Sequence, residues 1–183
     1  MADTTATRFE LGEPVPPFTL PDTDGAEHSV PAGQAPAATV LLVTCNHCPY
    51  VIAWNPRLRK VAEDYGPRGV RFLAINANDA TRYPADSLER MRRFVADQAW
   101  PMPYLHDESQ AVARALGAER TPHVFVLDGE QRLAYRGAPD GDHKDEGRDA
   151  EWLRAALDAI LDGEPVERAE TPSRGCSVKW REP

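Results

Sequence analysis

The stretch from Val40 to Ile52 reads Val-Leu-Leu-Val-Thr-Cys-Asn-His-Cys-Pro-Tyr-Val-Ile. Its first five residues form a continuous run of apolar and β-branched side chains, which predicts a buried central strand. Cys45 and Cys48 follow directly, and helical spacing begins at the second of them. A Cys-x-x-Cys pair between a strand and a helix is a redox arrangement. The N-terminus of a helix has unpaired N–H groups and a partial positive charge, so it favours a thiolate over a thiol.

Length and composition indicate one globular domain. The chain has 183 residues, 42% of them hydrophobic and 27% charged, which is enough for a sizeable core. The net charge of -8 argues against nucleic acid and anionic membranes as partners. The N-terminal residues show neither the basic nor the apolar region of a secretory signal, so we expect a cytoplasmic location. Three cysteines in a reducing compartment indicate chemistry or metal binding rather than a structural disulfide framework.

Strand and helix patterns alternate along the chain, which predicts an α/β fold. The expected strands are 18–20, 26–30, 39–44, 70–75, 102–105, 123–127 and 132–135, and the expected helices are 48–65, 86–98, 109–116 and 150–161. Pro56 predicts a kink or a short break in the first helix. Turn signals at Asp22 and Asp128 predict one hairpin near the N-terminus and one near the end of the sheet. The polar segment 138–148 is expected to be a surface loop.

Three segments of the chain together resemble the thioredoxin-fold redoxins, in particular the peroxiredoxin-like and thiol–disulfide oxidoreductase branch. The first segment is the strand-Cys-x-x-Cys-helix unit. The second begins at Arg120 and reads Arg-Thr-Pro-His-Val-Phe-Val-Leu-Asp, which resembles the family's cis-proline loop and the strand after it. The third is the Asp-Gly turn at Asp128 with Tyr-Arg-Gly at 135–137. The resemblance covers residues 10–162 and implies a mixed central sheet flanked by helices, with an N-terminal β-hairpin and a C-terminal tail.

The chain is expected to divide into a lead (1–12), a thioredoxin-like redoxin domain (13–162) and a tail (163–183). The tail carries the third cysteine, Cys176, within Arg-Gly-Cys-Ser-Val-Lys-Trp. That ending is similar to the ending of an uncharacterised peroxiredoxin-like subgroup. Two interpretations of Cys176 stay open: it is a third redox thiol that reaches the cysteine pair, or it is a spare thiol.

The resemblance implies roles for individual site residues. Cys45 would be the nucleophile and Cys48 the resolving thiol. Pro122 would lie against the cysteine pair, where the backbone groups of Thr121 could hydrogen-bond an extended peptide or a mixed-disulfide partner. His47 is either a cation that stabilises the thiolate or a solvated surface histidine. In the first case we expect a reduction potential above that of thioredoxin, which is about −270 mV.

The chain also departs from the family patterns. Thr44 takes the place of the tryptophan before the first cysteine of thioredoxins, and Thr39 takes the place of their buried carboxylate. The remaining candidates for a proton acceptor are Glu63, Asp79, His123 and water. The peroxidatic cysteine of peroxiredoxins would fall on Cys48, but the position of their activating arginine falls on Pro122.

The function expected first is therefore that of a thiol–disulfide oxidoreductase without a cofactor or a metal. Its partners would be a disulfide-containing protein or small thiol and an electron donor that the sequence does not identify. A first alternative is an antioxidant thiol peroxidase that uses the same cysteines. A second is a module that binds Cu(I) or another soft metal through Cys45, Cys48 and either His47 or His123.

Overall fold

The computed structural model describes residues 8–182 and confirms a thioredoxin-like fold. A five-stranded mixed sheet has the order β5-β4-β3-β7-β8, in which β3, β4 and β5 run parallel while β7 and β8 pair antiparallel to their neighbours. The elements are β1 (Phe18–Pro21), β2 (Glu27–Val30), β3 (Ala38–Thr44), α1 (Pro49–Tyr65), β4 (Val70–Asn76), α2 (Leu88–Gln98), β5 (Tyr104–His106), α3 (Ala111–Leu116), β6 (Arg120–Thr121), β7 (His123–Leu127), β8 (Leu133–Gly137), α4 (Glu151–Leu161) and β9 (Cys176–Ser177).

Strand β3 lies at the centre of the sheet, and all seven of its residues are buried. Successive side chains of a strand point to opposite faces, and β3 accordingly contributes to two cores. Val40 and Leu42 pack with residues of α1, α2 and α4, whereas Leu41 and Val43 pack with α3 and the N-terminal hairpin β1–β2. Burial on both faces explains the continuous apolar run in the sequence.

Helix α1 is continuous from Pro49 to Tyr65 and contains Pro56 in its interior, so the break allowed by the sequence prediction does not occur. A proline leaves the carbonyl four residues earlier without its helical partner. That carbonyl belongs to Ile52, whose side chain is 57% exposed. The unpaired carbonyl therefore lies on the solvent side of the helix, where its cost is small.

The prediction of a polar surface loop over 138–148 is wrong for its first part. Ala138 and Asp140 are fully buried. Asp140 accepts hydrogen bonds from Arg57 at 2.8 and 3.0 Å and from the Trp54 indole at 2.9 Å. Arg57 belongs to α1 and is itself 8% exposed. Composition could not show this, because the burial of Asp140 depends on a cation that lies 83 residues away in the sequence.

The tail packs against the rest of the chain. Thr171 and Val178 are buried, and β9 pairs antiparallel with β6. The boundaries of the three expected parts of the chain stay predictions.

None of the helices in residues 8–182 is long and apolar enough to cross a membrane.

Candidate active site

The cysteine pair lies at the edge of the sheet where two parallel strands end. Cys45 follows the last residue of β3, and Cys48 is the N-cap residue of α1. Because β7 runs antiparallel to β3 and begins at His123 opposite Val43, the residues before β7 lie at the same edge. This arrangement brings Thr121 and Pro122 next to the cysteines, as the resemblance implied.

Cys48 has the surroundings that a thiolate needs. Its sulfur interacts with the thiols of Cys45 and Cys176 and with the backbone N–H groups of Val51 and Cys176, and these hydrogen bonds, with that from Cys45 the largest, lower the pKa of Cys48 to about 4 despite its burial. Its position before the first turn of α1 adds the partial positive charge of a helix N-terminus. As a thiol, Cys48 donates to the Thr121 carbonyl oxygen at 3.3 Å.

Cys45 has the opposite surroundings. Its interaction with Cys48, its burial and the nearby carboxylate of Asp86 raise the pKa of Cys45 well above the ordinary value of a thiol. Its sulfur donates to the Thr121 hydroxyl at 3.5 Å, and only 2% of the residue is exposed. The geometry therefore favours Cys48 as the thiolate, whereas the resemblance implied Cys45. The assignment of nucleophile and resolving thiol stays a prediction.

A buried carboxylate that the sequence analysis missed lies beside the pair. Asp86 is fully buried and accepts three hydrogen bonds, from Asn46 N at 2.8 Å, Asn76 Nδ2 at 3.1 Å and Asn78 Nδ2 at 2.9 Å. His47 Nδ1 also lies 3.0 Å from its Oδ2. The sequence places Asp86 only at the start of the expected helix 86–98; the helix α2 begins after it, with Ser87 as the N-cap that accepts from Arg90 N. Thr39, at the position where thioredoxins have their buried carboxylate, is uncharged. In this chain the buried carboxylate is that of Asp86, which lies just before α2.

His47 combines features of both earlier interpretations. Its side chain is 39% exposed, as expected of a surface histidine, but it is paired with Asp86 and stacks on Tyr83 with nearly parallel rings. Any positive charge on His47 is therefore partly offset by the carboxylate. The expectation of a raised reduction potential stays a prediction.

The Thr121–Pro122 peptide bond is cis, which confirms what the resemblance implied. Thr121 is 1% exposed, and its backbone already has a partner. In the pairing of β6 with β9, Thr121 lies opposite Cys176. The edge expected to bind an extended peptide is thus occupied by the tail of the same chain.

The structure brings the third cysteine to the pair. Cys176 Sγ lies 2.8 Å from Cys48 Sγ, and all three thiols are free. Burial and the contact with Cys48 raise the pKa of Cys176 to about 11. Of the two interpretations of Cys176, this geometry favours the one in which the tail reaches the pair.

The other candidate proton acceptors do not join the site. His123 accepts a hydrogen bond from Glu119 N at Nδ1 and packs on Phe125, and burial lowers the pKa of His123 to about 4. Asp79 binds Thr81 and lies near Arg181, and Glu63 is exposed on α1. Tyr50 and Trp54 form an aromatic group with His143, in keeping with a packing role.

One group of metal-ligand types is present at the site. The ligand atoms of Cys45, His47 and Asp86 lie within 4.8 Å of one another. Both oxygens of Asp86 already accept hydrogen bonds from amide groups, so a metal would find mainly the Cys45 sulfur and the exposed His47 ring. His123 is not part of this group.

Comparisons with known proteins support the same family of folds. The model of the Redoxin family matches residues 10–152. An uncharacterised conserved protein from Geobacillus kaustophilus is 42% identical with a TM-score of 0.91, over 97% of this chain and 95% of that one. A hypothetical protein from Sinorhizobium meliloti, SMc02350, is 38% identical with a TM-score of 0.89, over 95% and 96% of the two chains. The peroxidoxin BcpB from Mycobacterium tuberculosis is 18% identical with a TM-score of 0.63, over 85% and 98%, and shows the fold alone. No curated protein matches the chain.

Proposed function

The chain belongs to the redoxin family and is an oxidoreductase that acts on thiol or disulfide groups, and we propose that it is a thiol–disulfide oxidoreductase built on Cys45 and Cys48. Cys48 is the sulfur that exchanges, and Cys45 is the sulfur that closes the internal disulfide. The observation that carries the proposal is the set of donors around Cys48, which lower the pKa of this thiol to about 4. A thiolate is the reactive form in disulfide exchange.

The chemistry transfers two electrons. In the reducing direction the Cys48 thiolate displaces one sulfur of a disulfide and forms a mixed disulfide. The Cys45 thiol then loses its proton and attacks the Cys48 sulfur, which releases the second sulfur of the partner and leaves a Cys45–Cys48 disulfide. The Asp86 carboxylate lies within 4.8 Å of the Cys45 sulfur and contacts His47, and its charge opposes ionisation of Cys45 until the mixed disulfide has formed.

The partners follow from this chemistry as further parts of the proposal. One is a disulfide-containing protein or a small-molecule disulfide, and the other is a dithiol that returns the electrons. The conditions that keep all three cysteines reduced are those of the cytoplasm. Fractionation of the native host cell, with the protein located by antibody, tests that location.

An insulin-reduction assay with dithiothreitol as donor tests the proposal. The wild-type protein is expected to accelerate the precipitation of the insulin B chain, and Cys48→Ser is expected to show no acceleration. Thermal unfolding monitored by circular dichroism checks that the variant is folded. A wild-type protein that shows no turnover where thioredoxin works would contradict the proposal.

A thiol peroxidase with an antioxidant role is a second candidate, because the ionised Cys48 occupies the position of the peroxidatic cysteine of peroxiredoxins. The hydrogen-bond partners of the Cys48 sulfur within residues 8–182 include no arginine, which disfavours activation of a peroxide. The rate at which hydrogen peroxide converts Cys48 to a sulfenic acid decides this alternative. A rate no greater than that of free cysteine would exclude it.

A soft-metal site is a third candidate, favoured by the proximity of Cys45, His47 and Asp86. Cu(I) accepts thiolate and imidazole ligands. Titration with Cu(I) under nitrogen, in competition with a chromogenic chelator, tests this candidate. Binding that survives in His47→Gln would exclude the proposed ligand set.

A further inference from the structure

The tail crosses the active site between two anchors. On one side Thr171 N donates to Arg136 O at 3.1 Å, and the Thr171 hydroxyl accepts from Ala138 N at 3.0 Å. On the other side Lys179 O accepts from Asp79 N at 2.9 Å. The segment between these anchors is held along a fixed path, and Cys176 lies within it.

Gly175 shows how closely the tail approaches the cis-proline loop. A Cβ atom on Gly175 would lie 2.1 Å from the Thr121 carbonyl oxygen and 2.7 Å from the Thr121 carbonyl carbon. Both contacts are with backbone, which has little freedom to move aside. A residue without a side chain is therefore required immediately before Cys176. The sequence of the tail fits this one docking site.

The three sulfur atoms differ in their access to solvent. Cys45 and Cys48 are 2% and 1% exposed, whereas Cys176 is half-buried. The Cys48 and Cys176 sulfurs are 2.8 Å apart, and a disulfide bond is about 2.05 Å long. A shift of less than an ångström would therefore bond them, and Cys176 is the most exposed of the three residues.

We infer that Cys176 is a third redox thiol, which the tail holds at the edge of Thr121 as an internal substrate and which carries electrons between Cys48 and an external dithiol. The inference rests on the proposed function, because it uses the exchange of Cys48. It adds a residue and a route that this function does not require. The chemical class of the external reactant is a dithiol, either a protein or a small molecule.

The route begins with the Cys45–Cys48 disulfide. Cys176 loses its proton and attacks the Cys48 sulfur, the Cys48–Cys176 bond forms, and Cys45 leaves and takes up a proton. A thiolate of the external dithiol then attacks the Cys176 sulfur, and Cys48 leaves as a thiolate. The second thiol of the dithiol, once deprotonated, attacks its own sulfur in the mixed disulfide and releases Cys176, which takes up a proton. The protein gains two electrons, and the dithiol becomes a disulfide.

The surroundings of Cys48 and Cys176 set the direction of the second displacement, in which the external thiolate attacks the Cys48–Cys176 bond. The thiol with the lower pKa is the better leaving group in thiol–disulfide exchange. The donors around Cys48 lower its pKa, whereas burial and the contact with Cys48 raise that of Cys176. Attack on the half-buried Cys176 sulfur therefore expels the stabilised Cys48 thiolate.

The test uses the variant Cys45→Ser, in which Cys48 and Cys176 are the remaining thiols. This variant is equilibrated with mixtures of reduced and oxidised glutathione, and its disulfides are mapped by mass spectrometry. We expect an intramolecular Cys48–Cys176 disulfide. Separate glutathione adducts on Cys48 and Cys176, with no such disulfide, would overturn the inference. If Cys45→Ser does not fold, the same mapping on the wild-type protein decides the question, since it must then show both the Cys45–Cys48 and the Cys48–Cys176 bonds.

A glycine pair supplies the control for docking. In the Cys45→Ser background, Gly175→Ala is expected to lower the effective concentration of Cys176 at Cys48 by about tenfold or more, because the added methyl group displaces the tail. Gly33→Ala is the matched control, since a Cβ atom there meets no atom within 4 Å. An equal effective concentration in the two alanine variants would contradict the role of docking.

The outcomes separate this inference from the proposed function. If the wild-type protein does not reduce insulin but Cys45→Ser forms the Cys48–Cys176 bond, the proposed function is wrong and the redox role of Cys176 is supported. If insulin is reduced at equal rates by the wild-type protein and Cys176→Ser, and no Cys48–Cys176 bond forms, the third thiol fails and the proposed function stands.

Discussion

Cys45 and Cys48 belong to one four-residue motif, yet their sulfur atoms meet opposite surroundings. The contact between the two thiols is the largest cause of both shifts, and it raises the pKa of Cys45 while it lowers that of Cys48. The Cys45 side adds burial and the buried carboxylate of Asp86, which raise the pKa further. The Cys48 side adds the start of α1 and the docked tail, whose N–H and S–H groups lower the pKa of Cys48. The groups that the rest of the chain brings to each sulfur thus decide which member of the pair is ionised.

We expect the removal of Cys48 to have the largest effect on activity. Cys45 and Cys176 both interact with the Cys48 sulfur, so Cys48→Ser eliminates both internal disulfides of the proposed route. Insulin reduction is expected to fall at least about a thousandfold, the scale on which loss of a nucleophile acts. Cys45→Ser keeps the pair of Cys48 and Cys176 and should retain measurable turnover. An inactive Cys45→Ser beside an active Cys48→Ser would reverse the roles of the two cysteines.

Asp86→Asn tests the Cys45 side. An amide at this position turns an NH₂ group toward donors that now bond to a carboxylate, and leaves at least one buried donor without a partner. We expect the free energy of unfolding in urea to fall by about 1–3 kcal/mol. The pKa of Cys45 should also fall, because the charge that raises it is gone. Asp97→Asn is the control, since Asp97 is exposed on α2, and an equal loss in both variants would contradict the account.

Cys45→Ala tests whether the Cys45 thiol helps to keep Cys48 ionised. The thiolate absorbance at 240 nm of the reduced wild-type protein is expected to show a step near pH 4. Loss of the Cys45 donor should move this step upward by about one unit, since a hydrogen bond to a charged group contributes about 1.5 kcal/mol. An unmoved step in Cys45→Ala would show that Cys45 does not stabilise the thiolate.

The same lowered pKa predicts a dependence of stability on pH. The pKa of Cys48 in the folded protein lies below the ordinary thiol value of 9.0. Its contribution to the free energy of unfolding is therefore complete above pH 9 and is lost as the pH falls toward 4. The difference in unfolding free energy between the wild-type protein and Cys48→Ser should shrink over that range. A difference that stays constant from pH 8 to pH 5 would contradict a lowered pKa.

We expect His47→Gln to have the smallest effect of these substitutions, a slight change in the reduction potential of the cysteine pair. The partly exposed pair of His47 and Asp86 is expected to contribute at most about 1 kcal/mol. The reduction potential should therefore become more negative by less than about 20 mV. His28→Gln is the matched control, because His28 pairs with Asp22 at 2.8 Å in the N-terminal hairpin. A shift several times larger than this, and absent in the control, would give His47 the direct role that the sequence suggested.

The sequence predicted the framework of the site because its signals are local. The apolar run that ends at Val43 and the two cysteines before Pro49 specify the strand, the motif and the start of the helix within a few residues. The resemblance placed Pro122 beside them; the Thr121–Pro122 bond is cis, and Thr121 contacts both sulfurs.

The charges around the cysteines were not predictable in the same way. Asp86 stands at the start of the expected helix 86–98, and its burial depends on Asn46, Asn76, Asn78 and His47. The path of the tail depends on contacts with residues far away in the sequence, such as the approach of Gly175 to Thr121. A single sequence without periodicity gives no signal for such contacts.

Cys48 is the sulfur that we expect to be ionised among the three. The most direct test treats the reduced wild-type protein at pH 5 with less than one equivalent of iodoacetamide and maps the label by peptide mass spectrometry. At that pH we expect label on Cys48, because its pKa of about 4 lies below the pH while that of Cys176 is about 11. Label found mainly on Cys45 or on Cys176 would contradict this assignment.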